Sequence, residues 1–286
     1  MLLSEVTERF KNYLVAAERS GETVSGYMKD LRYLRVHLEK ESNCTVYLED
    51  LTEEDIEGYL MQLKERGLSS ATRCRNLYTI RSLYNFAYKK RFCDRNVALS
   101  VEPIKHQQKE RTYLTSIEQE ELISSIDHEL IKIAVITLCN TGLRISECVN
   151  LKVEDVDLEL NIIKVVRGKG GKDRKIPIND KLHTVLSDYI ANIRNIGDSI
   201  YFFGTKKTGK LSPQYVNRVI KDTTYRLGWK KEVSAHILRH SFASTLLAKG
   251  ATIVDIQKLL GHSNLKVTSI YVHLSMEQLG SAVNLL

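Results

Sequence analysis

The chain has 286 residues, of which 43% are hydrophobic and 27% charged, and a formal net charge of +7. This length suffices for two hydrophobic cores, and the lack of any apolar run of ~18 residues argues against a membrane span. The first residues carry charges throughout and lack the small-residue cleavage site of a secretory signal. We therefore expect a cytoplasmic protein with no membrane partner.

The charge is distributed unevenly along the chain. Residues 1–60 carry 7 Lys and Arg against 13 Asp and Glu, whereas residues 64–111 carry 12 against 4. This change from a net negative to a net positive segment indicates an element that contacts a polyanion, and it does so more clearly than the net charge of the whole chain.

Apolar residues at helical spacing dominate the first hundred positions. They predict amphipathic helices at 4–19, 23–41, 53–66 and 70–91, with caps at Ser4, Thr23, Thr52 and Ser70. The fourth helix interleaves aromatic residues with six basic ones: Arg73, Arg75, Arg81, Lys89, Lys90 and Arg91. Such a helix can lie along a DNA groove or can present a solvated basic face, and the helix alone leaves both interpretations open.

The pattern predicts a mainly α protein with two domains. A helical domain at 1–103 precedes a polar, basic linker at 104–113 and a larger domain at 114–286. In the larger domain, "NIIKVVRGKGGKDRKIPI" reads as strand, glycine-rich turn and strand, and thus as a small antiparallel sheet. Helices are predicted around it, at about 116–126, 128–140, 180–194, 212–227, 236–249, 252–260, 265–273 and 275–284.

Two segments come close to nucleotide-binding motifs, and two histidines come close to a metal site. "GTKKTGKL" (204–211) has the spacing of a P-loop, but Leu211 stands where magnesium binding needs Ser or Thr. "GKGGKD" lacks the third glycine of a dinucleotide fingerprint, which favours a hairpin tip.

His236 and His240 have the spacing of zinc ligands, but Arg239 in the same turn would repel a cation. The five cysteines form no CxxC pair, and we predict no metal site and no cofactor.

Six residues of the second domain could handle phosphate. They are Arg144, Lys169, His236, Arg239, His262 and Tyr271. Each alone has a structural explanation: Arg144 can pair with Glu147 on a helix face, and a lysine in a glycine turn is usually only solvated. Composition and spacing leave these explanations open.

Together, the segments that hold these residues resemble a known family. "TGLRISECVNL", "GKGGKDRKIPI", "HILRHSFASTLLAKG" and "LLGHSNLKVTSIYVH" are similar, in order and approximate spacing, to motifs of the tyrosine recombinases, the integrase family of site-specific DNA recombinases, and most closely to its Xer-like members. The resemblance extends to the helical N-terminal domain. It implies a core-binding domain followed by an α-helical catalytic domain.

The resemblance implies a DNA strand-transferase that uses neither metal nor ATP. Tyr271 would attack a phosphodiester and form a 3′-phosphotyrosyl bond. Arg144 and Arg239 would hold the oxygens of the scissile phosphate, because guanidinium groups match them in a bidentate geometry. The bond energy would be kept in the phosphotyrosyl link, so that a 5′-hydroxyl of a partner strand can reseal it.

The resemblance assigns the proton transfers to three other residues. His236 would accept the proton of the tyrosine, and Lys169 would protonate the leaving 5′-oxygen. His262, where some relatives have tryptophan, would donate a hydrogen bond to a non-bridging oxygen.

The implied partner is double-stranded DNA with a specific inverted-repeat core site. We expect DNA contacts from Lys29, Arg73, Arg75, Lys172 and Arg174. The resemblance further implies a homo-tetramer on DNA, or a hetero-tetramer with a second recombinase. The apolar tail "SMEQLGSAVNLL" would dock into a neighbouring protomer in that assembly or pack on its own domain.

Strand exchange through a Holliday junction would then resolve chromosome or plasmid dimers or transposon cointegrates. Three alternatives stay open: an integrase or excisionase of a mobile element, an enzyme like a type IB topoisomerase, and a DNA-binding regulator without catalysis. The compact helical N-terminal domain argues against the topoisomerase, and the complete catalytic set argues against the regulator.

Overall fold

The computed structural model describes residues 1–105, 112–166, 173–194 and 199–261. The chain divides into two compact units, Met1–Lys109 and Glu110–Leu286. The division falls inside the segment 104–113.

The N-terminal unit is built from four helices. They are α1 (Leu3–Ala16), α2 (Gly21–Ser42), α3 (Glu53–Glu65) and α4 (Ser70–Lys89), as the apolar spacing predicts. In α1 the buried residues Leu3, Val6, Phe10 and Leu14 recur every three to four positions, so that one face enters the core. The core of this unit is lined by all four helices.

The helix caps of this unit differ in part from the prediction. Thr52 caps α3 as expected, because its hydroxyl accepts the Asp55 N–H while the Asp55 carboxylate accepts the Thr52 N–H. Ser20 caps α2 and Ser69 caps α4, whereas Thr23 and Ser70 were expected there. Helix α1 begins one residue before the expected cap Ser4 and has no side-chain cap. Propensity alone locates a helix start only to within a few residues.

The C-terminal unit surrounds a small sheet with helices. These are α5 (Ser116–Ser124), α6 (Glu129–Thr141), α7 (Ile145–Asn150), α8 (Asp180–Asp188, continued by a π-helical turn Tyr189–Ile193), α9 (Pro213–Arg226), α10 (Ala235–Ala248) and α11 (Ile253–Leu260). Helix α7 was not expected, because six residues are too short to show a helical period. The helices expected at 265–273 and 275–284 lie outside the described residues.

The sheet is antiparallel and has the order β1 (Val156–Asp157), β2 (Ile162–Val165), β3 (Arg174–Pro177). Its register pairs Ile163 with Ile176 and Val165 with Arg174. Ile163, Val165 and Ile176 are buried, so that one face of the hairpin enters the core. The register places Arg174 opposite Val165, at the end of the strand pair where the chain passes from β2 to β3.

Helix α6 lies at the centre of this unit. Most of its side chains are buried, including Ile131, Ala134 and Leu138, and α10 packs against it. Gly142 ends α6 with a φ of +62°, a conformation that glycine adopts without strain. A Cβ at Gly142 would lie 2.4 Å from the Phe242 ring and 2.8 Å from Leu260, so that close packing also requires glycine.

None of the helices in the described part of the chain is long and apolar enough to cross a membrane.

Candidate active site and DNA-binding surface

Glu147 forms the centre of a cluster of arginines at the N-terminus of α7. Its Oε2 accepts the main-chain N–H of Arg144 and its Oε1 accepts Arg144 Nη1, both at 2.8 Å. Arg144 is the residue that precedes the helix, where a carboxylate three positions later is favoured by the helix dipole. The carboxylate therefore fixes both the main chain and the side chain of Arg144.

Arg174 reaches the same carboxylate from β3. Its Nη1 and Nη2 bond Oε1 and Oε2 of Glu147 at 3.0 and 2.8 Å, and its Nε bonds the Leu259 carbonyl at 2.8 Å. Only 10% of the side chain is exposed. We expected Arg174 to contact DNA, but these bonds point into the protein and favour a role in holding Glu147.

Arg239 completes the cluster from α10. Its Nη1 donates to the Gly142 carbonyl at 2.6 Å and its Nη2 to the Leu260 carbonyl at 2.7 Å. Nη1 also lies 3.9 Å from Oε2 of Glu147. The two arginines proposed for phosphate binding, 95 positions apart in sequence, therefore meet the same carboxylate.

The cluster is electropositive although it contains a buried carboxylate. Burial alone would raise the pKa of Glu147, but the hydrogen bonds and charge of Arg174, together with the bonds from Arg144, lower this pKa to about 2. Glu147 is therefore ionised at neutral pH, and three guanidinium groups around one carboxylate leave two positive charges in excess. Such a site suits a phosphodiester, whose charge increases in the pentavalent transition state.

His236 lies on the first turn of α10, three residues before Arg239, and is exposed. Its ring stands edge-on to that of the largely buried His240, with 4.5 Å between centroids. Within the described ranges, no group of three or more His, Cys, Asp or Glu side chains is arranged to hold a metal ion.

Four predicted site residues lie outside the described residues. Lys169 and Lys172 belong to 167–172, between β2 and β3, and His262 and Tyr271 belong to 262–286, after α11. Their roles stay predictions.

The predicted DNA-binding residues of the N-terminal unit lie on α2 and α4. Lys29 and Arg75 are exposed, and the Lys29 ammonium lies 5.9 Å from the centre of the Tyr33 ring. The Arg66 guanidinium lies 6.0 Å from that ring. Both cations are exposed and can contact DNA phosphates; the sequence analysis does not single out Arg66.

The basic residues of α4 do not form one continuous face. The side chain of Arg81 donates from Nε to the Ala98 carbonyl at 2.9 Å and from Nη2 to the Val101 carbonyl, and so fastens the segment after α4. Arg73 is half-buried, and its Nε is without a hydrogen-bond partner in the described part of the chain. Arg75 and Lys89 are exposed. Only part of the helix's charge therefore faces solvent.

Comparison with known proteins assigns the family. Residues 108–278 match the model described as "Phage integrase family", and residues 7–91 match "Phage integrase, N-terminal SAM-like domain". A tyrosine recombinase of Pseudothermotoga lettingae is 31% identical over 99% of this chain and 98% of its own. Tyrosine recombinase XerA of Pyrococcus furiosus is 35% identical over 99% of this chain and 94% of its own.

A solved structure shows the same fold. The lambda integrase tetramer bound to a Holliday junction matches with a TM-score of 0.77 and 20% identity, over 92% of this chain and 78% of that chain. The family match and the two relatives extend over both units. The chain belongs to the phage integrase family of tyrosine recombinases, enzymes that transfer DNA strands.

Proposed function

We propose that this protein is a site-specific recombinase that exchanges DNA strands through a 3′-phosphotyrosyl intermediate and a Holliday junction. The observation that carries the proposal is the meeting of Arg144 and Arg239 at Glu147, which supplies the charge that the reaction requires. The chain has the other expected residues, Lys169, His236, His262 and Tyr271, in the order of the family's motifs.

The cleavage step balances without a metal or a nucleotide. The Tyr271 oxygen attacks phosphorus, its proton passes to His236, and the bond from phosphorus to the 5′-oxygen breaks. Lys169 gives a proton to that oxygen, which leaves as a hydroxyl. Arg144 and Arg239 stabilise the non-bridging oxygens, and His262 donates a hydrogen bond to one of them.

Rejoining is the same sequence in reverse, with the 5′-hydroxyl of a partner strand as the attacking group. Two duplex sites and four active sites are then needed, and for this reason we propose a tetramer. The similarity to two tyrosine recombinases, and to a lambda integrase that was solved as a tetramer on a Holliday junction, supports this assembly. We propose a homo-tetramer, with a second recombinase as the alternative partner.

For the biological role we propose resolution of chromosome or plasmid dimers or of transposon cointegrates. The similarity to a XerA recombinase over nearly the full chain supports this role. Integration or excision of a mobile element is the alternative, since it needs the same chemistry.

The proposal is tested with a supercoiled plasmid that carries two directly repeated copies of the recognised site. The site is first obtained by selection from randomised duplex DNA. A recombinase yields two smaller circles, whereas a plasmid with a single copy stays one circle. Relaxation of a plasmid without any site, and no circle of reduced size, would contradict strand exchange and favour the topoisomerase. Binding without any change in the plasmid would favour the regulator.

A further inference from the structure

A buried carboxylate in the N-terminal unit holds an exposed arginine. Asp30 on α2 is 3% exposed, and its Oδ1 accepts Arg75 Nη2 from α4 at 2.8 Å. Its Oδ2 accepts the Thr79 hydroxyl at 3.2 Å. The Arg75 side chain is 54% exposed, so that the carboxylate anchors a guanidinium that still faces solvent.

Two residues of α2, Gly26 and Asp30, define where the guanidinium group of Arg75 lies. A Cβ added to Gly26, one helical turn before Asp30, would lie 3.9 Å from Arg75 Nη1. The guanidinium thus lies over the turn Gly26–Asp30, and its orientation is set by the bond to Asp30. In the part of the chain that the structure describes, this bond is the only hydrogen bond of the guanidinium.

The burial of the Asp30 carboxylate in this pair costs free energy of folding, and packing alone does not explain why a carboxylate is buried here. Burial raises the pKa of Asp30, although Arg75, Thr79 and Lys29 each act to lower it. A carboxyl group with a raised pKa is less stable as an anion in the folded protein than in water. An apolar residue at position 30 would avoid this cost, so that the carboxylate suggests a function at the surface.

The chemistry of the pair favours contact with a base. A carboxylate that is bonded to a guanidinium group cancels much of the positive charge of that group and repels phosphate. It therefore weakens a contact between the guanidinium and the DNA backbone. It leaves the other N–H groups in a fixed orientation, suited to the neutral O6 and N7 acceptors of guanine in the major groove. Lys29 and Arg66 beside Tyr33 have no carboxylate bond of this kind among the described contacts, and suit phosphate.

We propose that Asp30 is a positioning residue that orients Arg75 to read a guanine in the recognised DNA site. This inference rests on the proposed function, because it requires a sequence-specific site. It makes Arg75 a specificity-determining residue and not only an electrostatic contact.

The test compares base preferences of full-length variants selected on the same pool of randomised duplex DNA. The wild type should enrich a motif with guanine at a position where both Arg75→Ala and Asp30→Asn lose the preference, while the rest of the motif is kept. Glu39→Gln is the matched control, because Glu39 pairs with Arg35 on the same helix at 3.9 Å in an exposed setting. It should enrich the wild-type motif.

Affinities separate positioning from folding. Asp30→Asn should weaken binding to the selected motif about tenfold and add nothing in the Arg75→Ala background. Binding to random DNA should be equal or tighter, because a negative charge that repels phosphate is removed. Equal losses on both DNAs together with a lower melting temperature would overturn the proposal in favour of a structural role. If Asp30→Asn does not fold, Asp30→Leu carries the test, because an apolar side chain avoids the buried charge and removes the acceptor of Arg75. It should lose the guanine preference, and retention of that preference would overturn the proposal.

The outcome also distinguishes this inference from the proposed function. An intact guanine preference in a folded Asp30→Asn variant would overturn the role of Asp30 alone. If the wild type enriched no motif, both proposals would fail.

Discussion

Arg174 and Glu147, 27 positions apart in sequence, are joined by two parallel hydrogen bonds of 3.0 and 2.8 Å. The same carboxylate bonds Arg144 and lies within 4 Å of Arg239. We propose that Arg144 and Arg239 hold the scissile phosphate. Glu147 fixes Arg144 by hydrogen bonds and supplies a counter-charge to Arg239, so its removal should affect stability and cleavage together.

Replacing Glu147 by Gln should lower the free energy of unfolding by about 3 kcal/mol, because a buried guanidinium group loses its counter-charge. DNA cleavage should fall as well, since Arg144 and Arg239 lose their common counter-charge. Denaturant unfolding at pH 7 measures the first effect. The control is Glu154→Gln, whose partner Lys152 is exposed, and this substitution should leave stability nearly unchanged. Equal effects of the two substitutions would contradict a central role for Glu147.

The difference between wild type and Glu147→Gln should depend on pH. The pKa of Glu147 is lowered from its ordinary value of 4.5 to about 2 in the folded protein, so that its ionised form stabilises the fold at pH above 4.5. This contribution is lost as the pH falls from 4.5 towards 2. The free energies of unfolding of the two proteins, measured from denaturant unfolding curves, should therefore converge across this pH range. A constant difference down to pH 2 would show that the ionisation of Glu147 does not support the fold.

Gly142→Ala should destabilise the protein by about 3 kcal/mol, through a strained φ of +62° and a Cβ placed 2.4 Å from the Phe242 ring. The matched control is Gly209→Ala, which has a φ of +74° but open space around it, and should cost about 1 kcal/mol. Because the Gly142 carbonyl accepts Arg239 Nη1, only the first substitution should also reduce cleavage. Denaturant unfolding and a cleavage assay measure the two effects, and equal costs would rule out the close contact as their cause.

Much of this arrangement can be predicted from sequence, because local spacing determines it. The buried stripe of α1 and the cap Thr52 follow from residues within one or two turns of each other, and the pairing of β2 with β3 follows from two β-branched runs close in sequence. The position of Arg174 does not, since it depends on strand register and on α7, which is too short to show a period. The sequence indicates that Glu147 can pair with Arg144 on a helix face, and only the fold shows that Arg174 reaches it from 27 residues away.

Substitution should separate the basic residues of α4 into those that stabilise the fold and those that contact DNA. Arg81→Ala should lower the free energy of unfolding by about 2 kcal/mol, because its bonds to main-chain carbonyls are lost, with little change in the salt dependence of DNA binding. Lys89→Ala should leave stability unchanged and reduce the slope of log affinity against log salt by about 1. Thermal unfolding and binding titrations at several salt concentrations measure both. The reverse pattern would mean that Arg81 contacts DNA.

Cleavage should continue in excess EDTA, because the arginine cluster supplies the positive charge that divalent metals provide in other phosphoryl-transfer enzymes. The measurement is the yield of cleaved DNA with EDTA and with added magnesium. Loss of cleavage in EDTA that magnesium restores would contradict the proposed chemistry.

The most direct test of the proposed mechanism is the covalent attachment of DNA to Tyr271. Wild-type protein is incubated with a duplex that is nicked near the cleavage point, so that rejoining is prevented, and the products are separated on a denaturing gel. We predict a protein–DNA adduct that maps to Tyr271 after proteolysis and is absent from Tyr271→Phe, while binding of the duplex is retained. An adduct that persists in Tyr271→Phe, or that maps to another residue of the wild type, would contradict the mechanism.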